Sequence, residues 1–177
     1  MGNYIERERV VDLLHLHGDE LVLDVGCGRG LVLNAVAKRL KSGKAIGIDI
    51  WSKRDVSGND PSETRKNAEI EGVAERVEIR DGDARSMPFE DNFFDAVTSS
   101  LVLHNISNRE ERRQSVREIY RVLKPGGRFA VLDLQHTNEY AYEFRQCGAV
   151  DVEIQGPHFT MFPPVRIVTG RKVTMSG

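Results

Sequence analysis

The stretch Leu21-Val22-Leu23-Asp24-Val25-Gly26-Cys27-Gly28-Arg29-Gly30 decides the fold. A short aliphatic run turns through a glycine-rich segment into Leu31-Val32-Leu33, which opens a helix reaching to about Lys41. Strand, glycine turn and helix in that order begin a βαβ unit. Working outward, Ala45 to Ile50, Arg76 to Arg80, Asp95 to Ser99 and Arg128 to Leu134 are further β-branched runs, each beside a segment of helical period. The chain therefore reads as α/β, with a doubly wound, mostly parallel sheet. Asp60-Pro61-Ser62-Glu63 offers a capping carboxylate, a first-turn proline and a returning glutamate, and Gly72 a left-handed stop. Ser107-Asn108-Arg109-Glu110 reads as a second capping box, opening a helix that Pro125-Gly126-Gly127 ends. Val150 to Gln155 and Val165 to Arg171 read as two final strands, antiparallel to each other.

At 177 residues, with 25 basic and 27 acidic side chains, the chain is sized for one domain and carries no net charge that would recruit nucleic acid. A nucleic-acid partner is therefore unlikely on charge alone. Its apolar runs are broken by Asp24 and Asn34, far short of the roughly 18 residues that a membrane helix needs. Cys27 and Cys147 stand far apart without a secretory signature, which points to a reducing, cytoplasmic setting.

The glycine turn lets a ligand approach the backbone closely, and the open amides of the helix start favour an accepting group. Its spacing is G-x-G-x-G with Leu31 next, so the third glycine falls one residue early for the dinucleotide fingerprint. Asp24 would repel a pyrophosphate but accept hydrogen bonds from an ammonium group, so a cationic ligand without phosphate fits better than a nicotinamide dinucleotide. Asp49 ends the second strand 21 positions after Gly28, where an acid can accept both hydroxyls of a ribose. Ile50 and Trp51 would then face an adenine, and Asp83 in Asp81-Gly82-Asp83-Ala84 could accept from its amino group. Three acids at successive strand ends converge on one crevice.

With these residues, the chain resembles the class I S-adenosylmethionine-dependent methyltransferases, in particular the small-molecule subgroup with the ubiquinone and menaquinone enzymes. The resemblance runs from Val22 to Val131 and rests on the glycine motif, Asp49, Gly82-Asp83-Ala84, Met87-Pro88-Phe89, Phe93-Phe94-Asp95, Leu103-His104-Asn105 and Glu118 to Gly127. It implies a Rossmann-like seven-stranded sheet with an antiparallel final hairpin. It also implies S-adenosylmethionine as cofactor: Asp24, Gly26, Gly28 and Gly30 around the methionine part, Asp49 on the ribose, Asp83 and Ala84 on the adenine, and Ser99 or Ser100 closing the sulfonium pocket. Displacement at a sulfonium methyl needs an in-line nucleophile more than a strong base. The expected reaction is methyl transfer to a small-molecule acceptor; the alternative is a non-catalytic S-adenosylmethionine-binding module acting with a partner subunit.

His104 follows the fourth strand and has two readings, a proton acceptor near the methyl group or a hydrogen-bonded packing residue; the second is preferred. The arginines from Arg109 to Arg121 read as a solvent face balanced by Glu110, Glu111 and Glu118, and Cys27 as a small packing residue. Phe159, Met161 and Phe162 form core cover or a pocket wall. No metal-binding set stands out. Trp51 to Asp60 reads as a mobile loop beside the adenine pocket. The chain is read as a single methyltransferase domain over 1–177 without a separate substrate cap, its cleft closed by a helix over Tyr4 to Leu16 or by a second subunit in a homodimer.

Overall fold

The computed structural model describes residues 1–51 and 60–174, so the segment expected to be a mobile loop lies almost entirely outside the described residues. The strands are β1 (Leu21–Val25), β2 (Lys44–Asp49), β3 (Val77–Asp81), β4 (Phe94–Ser100), β5 (Leu123–Asp133), β6 (Val150–His158) and β7 (Val165–Arg171). They form one seven-stranded sheet in the order β3-β2-β1-β4-β5-β7-β6. The pairings among β1 to β5 are parallel, and β7 runs antiparallel between β5 and β6. The strand order reverses beside β1, which puts a crevice above the carboxyl ends of β1 and β4.

Alternation along the central strands sorts side chains into two cores. Val22, Ala45, Ala130 and Leu132 face one side, with α1 (Gly2–Asp12), α2 (Leu31–Lys38) and α3 (Pro61–Ile70) supplying Val10, Val36 and Ala68. Leu23, Val25, Ile46, Phe129 and Val131 face the other, against α4 (Arg109–Val122) and α5 (Thr137–Cys147). Asp24 shares a face with Val22 by the period of two and so is directed toward α2. A carboxylate thus takes the position where the pattern otherwise calls for an aliphatic side chain.

Three local readings are corrected. Helix α2 ends at Lys38, short of Lys41, where the chain turns to reach β2: the amides of Lys41, Ser42 and Gly43 all donate to the Gly18 carbonyl. The cap of α4 is Asn108, whose side chain accepts from the Glu111 amide, so the box is shifted one residue from Ser107 and Glu110. Helix α4 ends at Val122, before the Pro-Gly-Gly segment. Leu123, fully buried, pairs with Phe94, so Lys124 to Gly127 belong to a strand longer than Arg128 to Leu134. The Asp60 cap accepting from Ser62 and the positive-φ stop at Gly72 are as expected.

The basic face of α4 is likewise an ion-pair seam, not a bare solvent face. Arg112 is buried, donates to both carboxylate oxygens of Glu139 on α5, and also to the carbonyls of Ile106 and Ser107. Arg117 pairs with Glu143 and Glu110, and Arg121 with Glu118 and Asp91. The acids that neutralise these arginines lie mostly on α4 and α5 themselves.

Candidate functional site

The glycine turn is held rigid from three directions. The amides of Gly26 and Cys27 both donate to the Ile48 carbonyl, at 2.8 and 3.0 Å. Thr64 Oγ1 of α3 donates to the Gly28 carbonyl at 2.6 Å, and Asn67 Nδ2 to that of Arg29 at 3.0 Å. Gly26 has φ of 70°, and a Cβ there would stand 2.4 Å from Val102 Cγ2, so no larger residue fits. The turn leaves room for a ligand by bringing its own backbone against its neighbours.

Above it lies a cavity of about 690 Å³, bordered by Asp24, Gly26, Gly28, Asp49, Ile50, Asp83, Ala84 and Ser100 among others. That volume lies within the range typical of small-molecule sites. Asp24 is buried, and Thr98 Oγ1 donates to its Oδ1 at 3.1 Å. Burial, reinforced by repulsion from Asp49 and partly offset by Thr98, pushes the Asp24 carboxyl up to about 7. Asp49 accepts the Gly28 amide on Oδ2 and the Trp51 amide on Oδ1, both at 2.9 Å. Each oxygen keeps a further lone pair, enough for two ribose hydroxyls. Asp83 is engaged by Arg85 through both carboxylate oxygens, the shortest contact being 2.7 Å, and this holds it below the ordinary carboxylate range. Arg85 also reaches Glu111 at 3.1 Å, linking the turn after β3 to the first turn of α4 across the cavity.

Some expected contributors stand elsewhere. Gly30 caps α2, and its open side faces Thr64 and Asn34 rather than the cavity. Ser99 is buried and donates to the Val25 carbonyl at 3.3 Å, leaving Ser100 as the serine at the cavity wall. Trp51 packs against the α1–α2–α3 core, so Ile50 alone of that pair borders the cavity. Cys27 does border it, but burial and the nearby charges of Asp24 and Asp49 push its thiol up, so it stays protonated and inert. Among the described residues no cluster of three or more acids, histidines or cysteines is arranged to hold a metal.

His104 belongs to a separate buried constellation. Its Nδ1 lies 2.6 Å from Asp133 Oδ1, out of line for a good hydrogen bond. Asp133 also accepts the amides of His104 and Leu134 and the Tyr140 hydroxyl, all within 3.0 Å. His104 is not part of the cavity wall, in keeping with the packing reading.

Residues that sequence patterns did not single out complete the wall: Asn3, Glu6 and Arg7 from α1, Met161 from the β6–β7 connection, and Asn105, Ile106 and Ser107 after β4. Helix α1 is polar almost all round, so no apolar stripe announced which side faces inward. Leu101, at the end of β4, has φ of 58° and is pinned by its amide to the Leu132 carbonyl at 3.0 Å, an uncommon backbone for a bulky residue at the cavity wall.

Comparison with known proteins agrees with this geometry. The family described as "Methyltransferase domain" matches residues 23–131. The chain is 35% identical over 134 residues to the demethylmenaquinone methyltransferase of Lactiplantibacillus plantarum, covering 75% of this chain and 53% of that protein. It is 33% identical over 133 residues to the 2-phytyl-1,4-beta-naphthoquinone methyltransferase of Arabidopsis thaliana, covering 75% and 48%. The chain thus spans about half the length of these curated relatives. In fold it is similar to the [4+2]-cyclase SpnF, with TM-score 0.79 and 22% identity over 97% of this chain and 81% of that one. A putative methyltransferase from Bacillus halodurans gives TM-score 0.75 and 20% identity over 96% and 100%. The residues present fit the methyl donor of this family: a buried acid for an ammonium, a second acid for a ribose, and a mixed wall around both. The matched region, the three-quarter coverage by relatives above 30% identity, and the acids carried at successive strand ends together make the chain a member of the class I S-adenosylmethionine-dependent methyltransferases.

Proposed function

We propose that this chain moves the methyl group of S-adenosylmethionine to a small, largely apolar acceptor of quinol or sterol type. The observation that carries the reading is the convergence of Asp24, Asp49 and Asp83 on one cavity whose remaining wall includes Leu101, Val102, Ile106 and Met161. The cofactor supplies an electrophilic methyl on a sulfonium. The protein's part is placement: Asp49 holds the ribose, Asp24 the ammonium, and the apolar wall excludes water from the line of attack. Asn105 and Ser107 stand at the wall as polar groups able to orient an acceptor hydroxyl. A quinol ring carbon is nucleophilic by itself, so this reading asks for no histidine base, in keeping with His104 lying outside the wall. The relatives' names, a demethylmenaquinone and a phytyl-naphthoquinone methyltransferase and, at 36% identity over 131 residues, a sterol 4-C-methyltransferase of Caenorhabditis elegans, support the acceptor class.

The test is calorimetry with S-adenosylmethionine, followed by transfer of labelled methyl to a reduced prenyl-naphthoquinone. Saturable binding and labelled product are expected. Absence of binding to folded protein would overturn the cofactor assignment. Binding without transfer to quinols, sterols or other acceptors would replace this reading with the partner-dependent binding module. A cytoplasmic setting, proposed from the sequence, is in keeping with free Cys27 and Cys147.

A further inference from the structure

A donor with a sulfonium, an ammonium and a carboxylate needs a cation as well as acids, and the cavity wall contains three: Arg7, Arg29 and Arg85. Arg85 stands at the Asp83 end, where it is engaged by Asp83 and Glu111. Arg29 is exposed on the outer side of the glycine turn and has an interaction of its own. Arg7 differs from both. It is 7% exposed, and its Nη1 lies 3.2 Å from the Leu31 carbonyl at the first turn of α2, which places the guanidinium at the glycine-turn end of the cavity.

The arginine's hydrogen bonds leave one edge open. Nε donates to Glu8 and Nη1 to Leu31 and Glu71, all at 3.2 Å, and the Glu71 oxygen that Arg7 uses is held more closely by Lys38 at 2.8 Å. Nη2 donates to no described residue, yet it is not among the buried polar atoms sealed away without a partner. With the residue nine-tenths buried and part of the cavity wall, that open edge faces the cavity. The Tyr4 ring, 4.9 Å from the guanidinium carbon, covers another side.

We propose that Arg7 is the counter-ion for the α-carboxylate of the cofactor's methionine part. Helix α1 is then a wall of the cofactor site, and Arg7 and Asp24 divide the zwitterion between them, carboxylate to one and ammonium to the other. A guanidinium edge with two parallel donors suits a carboxylate, and the low exposure keeps water from screening the pair. This inference rests on the S-adenosylmethionine reading.

The experiment compares binding of S-adenosylmethionine with that of its decarboxylated analogue, which keeps the sulfonium and the ammonium, in the wild type, R7Q and R7K. The wild type is expected to prefer the intact cofactor by roughly tenfold to a hundredfold, the scale of a charge-assisted hydrogen bond. R7Q should lose that preference while its affinity for the decarboxylated analogue stays the same or rises, and R7K should recover part of it. Equal weakening toward both ligands would overturn the proposal, making Arg7 only a strut between α1 and α2. Full preference retained in R7Q would also overturn it, with the carboxylate held elsewhere. Failure of the wild type to bind either ligand would instead remove the cofactor reading on which this one stands. Thermal unfolding of R7Q with and without the decarboxylated analogue checks that the cavity is folded.

Discussion

Two carboxylates buried to a similar degree stand near the ends of neighbouring parts of the sheet, Asp24 on β1 and Asp133 on β5, and they serve opposite purposes. Asp133 is saturated: two amides, a tyrosine hydroxyl and a histidine surround it. Asp24 has one side-chain donor, Thr98, and an open cavity in front of it. Burial raises the carboxyl of both. What separates a structural acid from a functional one here is unfilled hydrogen-bonding capacity facing a cavity, not depth. The saturated acid joins β5, α5 and the turn after β4; the unsaturated one holds its capacity in reserve for a ligand.

The sharpest way to break this comparison is Asp133→Ala. Removing the common acceptor strands buried donors from His104, Leu134 and Tyr140, and a loss of about 3 kcal/mol in unfolding free energy is expected, with cofactor affinity changed little once the protein is folded. Denaturant titration and calorimetry read the two effects separately. Asp24→Asn is expected to do the reverse, weakening S-adenosylmethionine binding by roughly tenfold or more, the equivalent of about 1.4 kcal/mol, at nearly unchanged stability. A variant that bound normally would remove Asp24 from the site.

A pH series sharpens the contrast further. The folded-state value of Asp24, about 7, lies above its ordinary 3.8, so its contribution to stability is present below the lower value and disappears as pH rises through the upper one. The wild type should therefore lose unfolding midpoint between about pH 5 and about pH 8, and Asp24→Asn should lose less, the remainder tracing partly to Asp133. Cofactor affinity should move the other way, rising toward neutral pH as Asp24 ionises to meet the ammonium. Thr98→Val, the mildest change, removes the hydroxyl that favours the ionised form and should shift that binding midpoint upward, for about 1 kcal/mol or less of stability.

The glycine turn, the ribose acid and the parallel order of the first strands were legible because each rests on local rules: period, turn chemistry and the position of an acid after a strand. The misreadings share a cause. Ser99 and Ser100 are adjacent, but the pleat turns one into the β1 ladder and the other to the cavity. Gly30 belongs to the motif, yet its geometry serves the helix cap. The arginines of α4 looked like a solvent face because Glu139 and Glu143, their partners, come from a helix more than twenty residues away.

By itself, then, the sequence determined the α/β class, the strand that carries the glycine turn, and the acids Asp24, Asp49 and Asp83, since these follow from backbone geometry over a few neighbouring residues. Only the tertiary structure decided which groups share the cavity. Arg7 meets Leu31 and Glu71 across 24 and 64 positions, and Glu111 meets Arg85 across the mouth of the site. Such long-range pairs depend on how helices settle on the two faces of the sheet, which no local pattern encodes. The same holds for the two buried acids: each reads as an aspartate in an aliphatic run, and what packs around it makes one a cornerstone and the other a binding group.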